Sequence, residues 1–133
     1  MAAGRYSFTI EQGATVDFEV VYKDSNSVPV NLSGYQARMQ IRPSIGSNTT
    51  YITLSSSLGP CGTGLNLSGS GGSKPPSSGS IGIYISSVSS SLLDFTEGFY
   101  DLEIASGSGD CAVVTRILEG KVKLSKNVTL GPY

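Results

Sequence analysis

The sequence contains no histidine and no tryptophan, and its charged side chains are few. Without histidine the chain cannot form a Ser-His-Asp triad, a Cys-His pair or a His-ligated metal site. Charged residues make up 14% of the chain, where about 25% is usual, and nine Lys and Arg nearly balance ten Asp and Glu. This balance argues against affinity gained by neutralising phosphates, so we expect no nucleic-acid partner. We also expect no catalytic activity and no cofactor.

Long apolar runs are also missing from the sequence. No stretch approaches the roughly 18 apolar residues that a membrane-spanning helix needs, so we expect no membrane partner. The length of 133 residues suits a single domain, which we place at 1–133, and a hydrophobic content of 38% is enough for one modest core.

Cysteine occurs only twice, as Cys61 and Cys111. Two cysteines cannot complete a zinc site in a chain without histidine. Both lie beside turn residues, so one interpretation is a disulfide that closes a loop of about 50 residues and stabilises the fold by roughly 3–4 kcal/mol. The other interpretation is two free thiols in a protein made in a reducing cytosol. The sequence leaves both open.

Glycine, serine and proline are concentrated in one segment, residues 59–80, with the sequence GPCGTGLNLSGSGGSKPPSSGS. Such a composition is typical of a long exposed loop or an insertion. Only Leu65 and Leu67 give this segment large apolar side chains to bury. We therefore predict one Gly/Ser-rich loop at 59–80 and an ordinary folded domain around it.

Elsewhere apolar and polar residues alternate with the period of two that is typical of half-buried strands. The alternating segments are residues 6–10, 16–22, 37–42, 51–54, 81–85, 99–104 and 111–119, and residues 121–125 either continue the last strand or add an eighth. Between 88 and 95 the apolar residues have helical spacing, which predicts one helical turn that crosses between two sheets. Seven or eight short strands with almost no helix predict an all-β fold, an antiparallel β-sandwich that is Ig-like in architecture only.

Carboxylates two residues apart occur twice, at Asp17 and Glu19 and at Asp101 and Glu103. A glycosidase needs two carboxylates that face each other across a substrate. Here each pair lies opposite an apolar stripe of its strand, which is typical of a solvated sheet face. Arg116 lies within an apolar strand and needs an acidic partner. We predict an ion pair between Arg116 and Glu103, with Asp101 on the same strand as the other candidate.

Arg38 and Arg42 lie on one predicted strand, and Arg116 lies on another. Such residues either share a face that contacts a glycan or a nucleic acid, or are exposed or hydrogen-bonded to a neighbouring strand. No interleaving of aromatic and basic residues supports the first interpretation. The second interpretation is therefore the prediction.

Several motifs occur in the order that is typical of one protein family. They are IEQGAT at 10–15, KDSN at 23–26, ARMQIR at 37–42, DLE at 101–103 and RILEG at 116–120. With these motifs the chain resembles a family of small virion proteins of tailed bacteriophages, over most of residues 5–125. Two features depart from the family pattern: Tyr22 stands where tryptophan is common, and the segment 59–80 has no counterpart.

The resemblance implies a structural, non-enzymatic protein of the virion, made in the host cytoplasm and usually associated with the tail or baseplate. The hypothesis that follows is an adaptor in the tail, the baseplate or a fibre attachment. It would form a symmetric homo-oligomer or multi-copy assembly with other virion structural proteins. The edge strand at 6–10 and the loop at 59–80 would make the contacts. Two alternatives stay open: a capsid decoration (cement) protein and a carbohydrate-binding module.

Overall fold

The computed structural model describes residues 4–107 and 109–129, which form nine β-strands and one short α-helix. The strands are β1 (Gly4–Arg5), β2 (Phe8–Glu11), β3 (Val16–Val21), β4 (Tyr35–Arg42), β5 (Ile52–Ser55), β6 (Gly64–Asn66), β7 (Ser80–Ile85), β8 (Glu97–Ser106) and β9 (Val113–Ser125). The helix, α1 (Ser87–Ser91), lies between β7 and β8 in the chain. The predicted all-β fold is confirmed.

The strands form two sheets. In the first sheet the order is β1-β9-β8-β4-β5, and β2 also pairs with β9. In the second sheet the order is β3-β7-β6. Both β1 and β2 run parallel to β9, so the first sheet is mixed and not purely antiparallel as predicted. Parallel strands need a long connection, and here most of the domain lies between β2 and β9.

The core lies between the two sheets and follows the alternation in the sequence. Ile81, Ile83 and Ile85 on β7 are fully buried, and so are Met39 on β4 and Leu102 on β8. These side chains belong to one apolar cluster that takes residues from both sheets, which makes the domain a β-sandwich. Burial of each large aliphatic side chain contributes about 1.5–3 kcal/mol.

A turn and a helix connect the sheets at one end of the sandwich. After β2, the Gln12 side-chain amide donates to the Leu93 carbonyl at 2.7 Å, and Gly13 N–H donates to Ser90 Oγ at 3.0 Å. The chain then enters the second sheet as β3. Helix α1 leads from β7 in the second sheet back to β8 in the first, which is the crossing that the sequence predicts.

The predicted loop at 59–80 contains structure that its composition hides. β6 lies within it and forms an edge strand of the second sheet, with Leu65 fully buried. Three 3-10 turns, at Pro60–Gly62, Ser70–Gly72 and Pro76–Ser78, account for much of the rest. A three-residue strand between glycine-rich turns is too short to give a periodic signal in a sequence.

The second half of the 59–80 segment packs on the outer face of the second sheet. Ser70 N–H donates to Glu19 Oε1 at 2.9 Å, and Lys74 Nζ donates to Glu19 Oε2 at 2.6 Å. A Cβ at Gly82 on β7 would lie 2.8 Å from the backbone of Gly69. Glycine at position 82 is therefore required for this close approach.

Candidate functional site

Every arginine of the chain lies in one groove on the outer face of the first sheet. This arginine groove has a volume of about 530 Å³, crosses β4, β8 and β9, and has residues 44–47 at its rim. Its charged side chains are Arg5, Arg38, Arg42, Arg116, Lys121, Asp101, Glu103 and Glu119. Five of them are positive and three are negative, whereas the whole chain has a net charge of −1.

The strand register arranges the groove side chains in three rows across β4, β8 and β9. The rows are Arg42, Phe99 and Lys121; Gln40, Asp101 and Glu119; and Arg38, Glu103 and Arg116. Arg5 on β1 pairs with Glu119 and extends the second row. Because successive side chains of a strand point to opposite faces, the residues between these positions face the core.

A β-bulge in β9 brings Arg116 onto the outer face of the sheet, where it joins the third row. Leu102 pairs with Leu118 but Glu103 pairs with Arg116, so Ile117 is an extra residue. In a regular strand Arg116 would point to the same face as Leu118, which is the core side. The bulge turns Arg116 to the outer face instead, and bulges commonly re-aim a side chain in this way.

The three carboxylates of the groove are paired with two of its arginines. Arg116 Nε lies 3.3 Å from Asp101 Oδ2, and Arg116 Nη1 lies 3.7 Å from Glu119 Oε2. Arg38 Nε donates to Glu103 Oε1 at 3.0 Å. The predicted ion pair between Arg116 and Glu103 is therefore not formed, although the two residues are register partners. Arg38 binds Glu103 from β4, and Arg116 takes Asp101, the other candidate named from the sequence.

The other three cations of the groove have no carboxylate within 4.0 Å among the described residues. They are Arg5, Arg42 and Lys121. Neutral acceptors hold the Arg42 guanidinium, with Nη1 2.6 Å from the Ser47 carbonyl and Nη2 2.7 Å from Gln40 Oε1. Lys121 Nζ lies 5.7 Å from the centroid of the Phe99 ring, which is a cation–π distance. The uncompensated charge of the groove is thus positive.

Both cysteines are free and exposed, so the disulfide between Cys61 and Cys111 that the sequence left open is not formed. Cys61 belongs to the turn that leads into β6 of the second sheet, whereas Cys111 lies in the connection between β8 and β9 of the first sheet. The fold thus places the two turns on different sheets. The alternative of two free thiols is the one that agrees with the structure.

The carboxylates of Asp17 and Glu19 hold the second half of the 59–80 segment on the second sheet. Ser70 Oγ donates to Asp17 Oδ1 at 2.6 Å, beside the two hydrogen bonds to Glu19. The hydrogen bond from Lys74, and next the one from Ser70 N–H, keep the pKa of Glu19 below its usual value. The solvated face predicted for this pair is therefore partly covered by the protein itself.

Comparison with known proteins gives no assignment, because no protein-family model and no curated protein matches the chain. In the ranges 4–107 and 109–129 no group of three or more Cys, Asp or Glu side chains is arranged to hold a metal ion. No helix of that part of the chain is long and apolar enough to cross a membrane.

The sequence singles out Arg38, Arg42 and Arg116 but does not predict that they share one groove. The groove depends on the register of β4, β8 and β9 and on the bulge at Ile117, and neither follows from local composition. One signal was present: in RILEG, Arg116 and Glu119 are three residues apart. Two polar residues at that spacing share a face of a strand only where the strand contains a bulge.

Proposed function

We propose that this chain is a structural protein of a tailed-phage virion. In this role it is an adaptor that contacts neighbouring virion proteins through the arginine groove and the edges of its sheets. The observation that carries the proposal is the position of the resemblance motifs. ARMQIR, DLE and RILEG lie on β4, β8 and β9, which are neighbours in the first sheet, and their polar residues line one groove.

The outward-facing residues of these motifs have no part in the core. Packing constrains inward residues such as Met39 and Leu102, but it places no requirement on the charge of Arg38, Arg42 or Glu103. The resemblance covers these exposed charges as well as the core positions, as is typical of a surface used for binding. This supports a contact role for the groove.

Edge strands supply a second means of association. Among the described residues β2 pairs with β9 alone and β3 pairs with β7 alone, so each has a backbone side that is not paired within the chain. Such edges accept a strand from another chain. A small sandwich that has a charged groove and two unpaired strand edges suits a symmetric homo-oligomer or another multi-copy assembly.

Immunogold labelling of purified particles tests this proposal and separates it from the two alternatives. Label on the tail, the baseplate or a fibre attachment is the expected result. Label spread over the capsid would replace the adaptor by a cement protein. Particles without label would remove the virion role, and the carbohydrate-binding module would then be the hypothesis to test.

A further inference from the structure

We propose that the first row of the arginine groove, formed by Arg42, Phe99 and Lys121, is a docking site for the carboxylate side chains of an acidic segment on a neighbouring protein. The inference rests on the proposed function, because that function supplies the neighbour. The charge of the groove, the geometry of the row and the exposed Ile45 at the rim support it.

The charge of the first row is available to a ligand. Within the groove Arg38 and Arg116 are occupied by the three carboxylates, whereas Arg42 and Lys121 have no carboxylate partner among the described residues. A carboxylate that binds there gains charge-assisted hydrogen bonds without displacing an internal acid. Charge complementarity therefore favours an acidic ligand at this end of the groove.

The geometry of the row fits a carboxylate on a short aliphatic stem. Neighbouring strands are about 4.8 Å apart, so the backbones of Arg42 and Lys121 lie about 10 Å apart. Phe99 lies between them in the register, with Lys121 Nζ 5.7 Å from its ring centroid. Three of the five guanidinium N–H groups of Arg42 are held by Gln40 and Ser47. Two remain to donate to a ligand from a fixed position. The half-buried Phe99 ring offers an apolar surface for the methylene groups of Glu.

The rim of the groove favours a protein over a saccharide or a nucleic acid. Ile45 lines the groove three residues after Arg42 in the chain and exposes 87% of its surface. A protein segment can cover this apolar side chain while its carboxylates bind the cations, in the manner of an interface with apolar and polar parts. A nucleic acid carries a phosphate at every nucleotide and would bring further phosphates against Asp101 and Glu119 in the second row, whereas a protein segment can place neutral residues there.

Fluorescence anisotropy with the full chain and a labelled peptide of alternating Glu and Gly, measured at low ionic strength, tests the inference. The same peptide with Gln in place of Glu controls for charge. We expect the Glu peptide to bind and the Gln peptide not to bind. Arg42→Gln and Lys121→Gln should each weaken binding by roughly fivefold. Lys23→Gln removes the same charge outside the groove, is the matched control, and should leave the affinity unchanged.

Arg42 also anchors the rim through Ser47, so its loss could move the rim as well as remove a charge. Lys121→Gln is therefore the more direct test of the charge. Thermal unfolding checks that each variant is folded. Equal affinity of the wild-type chain and Lys121→Gln for the Glu peptide would overturn the inference. Equal affinity for both peptides would do the same. Tighter binding of trigalacturonate than of the Glu peptide would overturn it in favour of an acidic saccharide.

Peptide binding tests the docking site, and gold labelling of particles tests the proposed function, so the two can fail separately. Peptide binding by the first row combined with particles that carry no gold label would overturn the virion role and leave the acid-binding row standing. Gold label on the tail without peptide binding would overturn the docking site alone.

Discussion

Tyr100 on β8 joins the core to the N-terminal strands through one ring and one hydroxyl. The side chain is buried, and its ring packs edge-on against Phe8 with the centroids 5.2 Å apart. The hydroxyl donates to the Tyr6 carbonyl at 2.5 Å. Burial, and to a lesser extent the nearby Tyr6, raise the pKa of Tyr100 well above the usual value for tyrosine.

Tyr100→Phe should lower the free energy of unfolding by about 1–2 kcal/mol, because the Tyr6 carbonyl loses its donor.

The wild-type chain should also lose stability as the pH rises above about 10, the pKa of an unfolded tyrosine. Above that pH the unfolded state releases the Tyr100 proton while the folded state keeps it, so high pH favours unfolding. Urea unfolding between neutral pH and about pH 11 measures both effects. A variant with the same stability and the same pH slope as the wild type would contradict this account.

Titration of the native chain with a thiol reagent should find two free thiols, because Cys61 and Cys111 are exposed and unbonded. A reductant should leave the melting temperature unchanged, since there is no disulfide to break. A count of zero thiols that rises to two after reduction is the result that would restore the disulfide.

At the scale of elements, local periodicity predicted the strands that lie against the core. β4, β7 and β8 were found because long apolar stripes alternate with polar residues along them. β6 was missed because it is three residues long, and the parallel pairing of β1 and β2 was missed because it depends on where the distant β9 returns. Register and the bulge also depend on distant strands. The sequence therefore singles out Arg38, Arg42 and Arg116, but it predicts neither the groove nor the row that Arg42 forms with Phe99 and Lys121.

Gly82→Ala should displace the turn around Gly69 and Ser70, in the second half of the 59–80 segment, from the outer face of the second sheet. The new Cβ would lie 2.8 Å from backbone atoms of Gly69 and Ser70, which cannot move aside without breaking the contact. We expect a loss of about 1–3 kcal/mol, as for overpacking in a core. Urea unfolding measures the loss, and hydrogen exchange at the Ser70 amide reports the displacement.

Gly4→Ala is the matched control, because its Cβ would meet its nearest neighbours at ordinary contact distances of 3.6 and 3.7 Å. Unchanged protection of the Ser70 amide in Gly82→Ala would mean that the segment is not held on the sheet in this way.

Thr9→Pro should block strand addition at β2 and leave the isolated domain folded. Tyr6 N–H donates to the Glu119 carbonyl and Gln12 N–H donates to the Ser125 carbonyl, so the even-numbered amides face β9. Successive amides of a strand point to opposite sides, which directs Thr9 N–H away from β9. Proline is tolerated at such an edge position.

Assembly of the Thr9→Pro chain, measured as its incorporation into particles, is the readout for the edge strand. Thr9→Ala keeps the backbone N–H and should assemble normally. A folded Thr9→Pro chain that is incorporated as well as the wild type would exclude β2 as the strand that pairs with a neighbour.

At the scale of the whole molecule, the two outer faces of the sandwich differ. The second half of the 59–80 segment packs on the outer face of the second sheet, where Asp17 and Glu19 bind its polar groups. The first sheet leaves its groove open, with cations that lack an internal carboxylate partner among the described residues. Association is therefore expected through the first sheet and the strand edges, which gives each copy a defined orientation in an assembly.

The copy number of this chain in purified particles, measured by quantitative mass spectrometry after separation of heads and tails, tests the central claim most directly. An adaptor follows the cyclic symmetry of the tail, so we predict on the order of ten copies per particle, all in the tail fraction. Copies on the order of hundreds in the head fraction, or no copies in either fraction, would contradict the account.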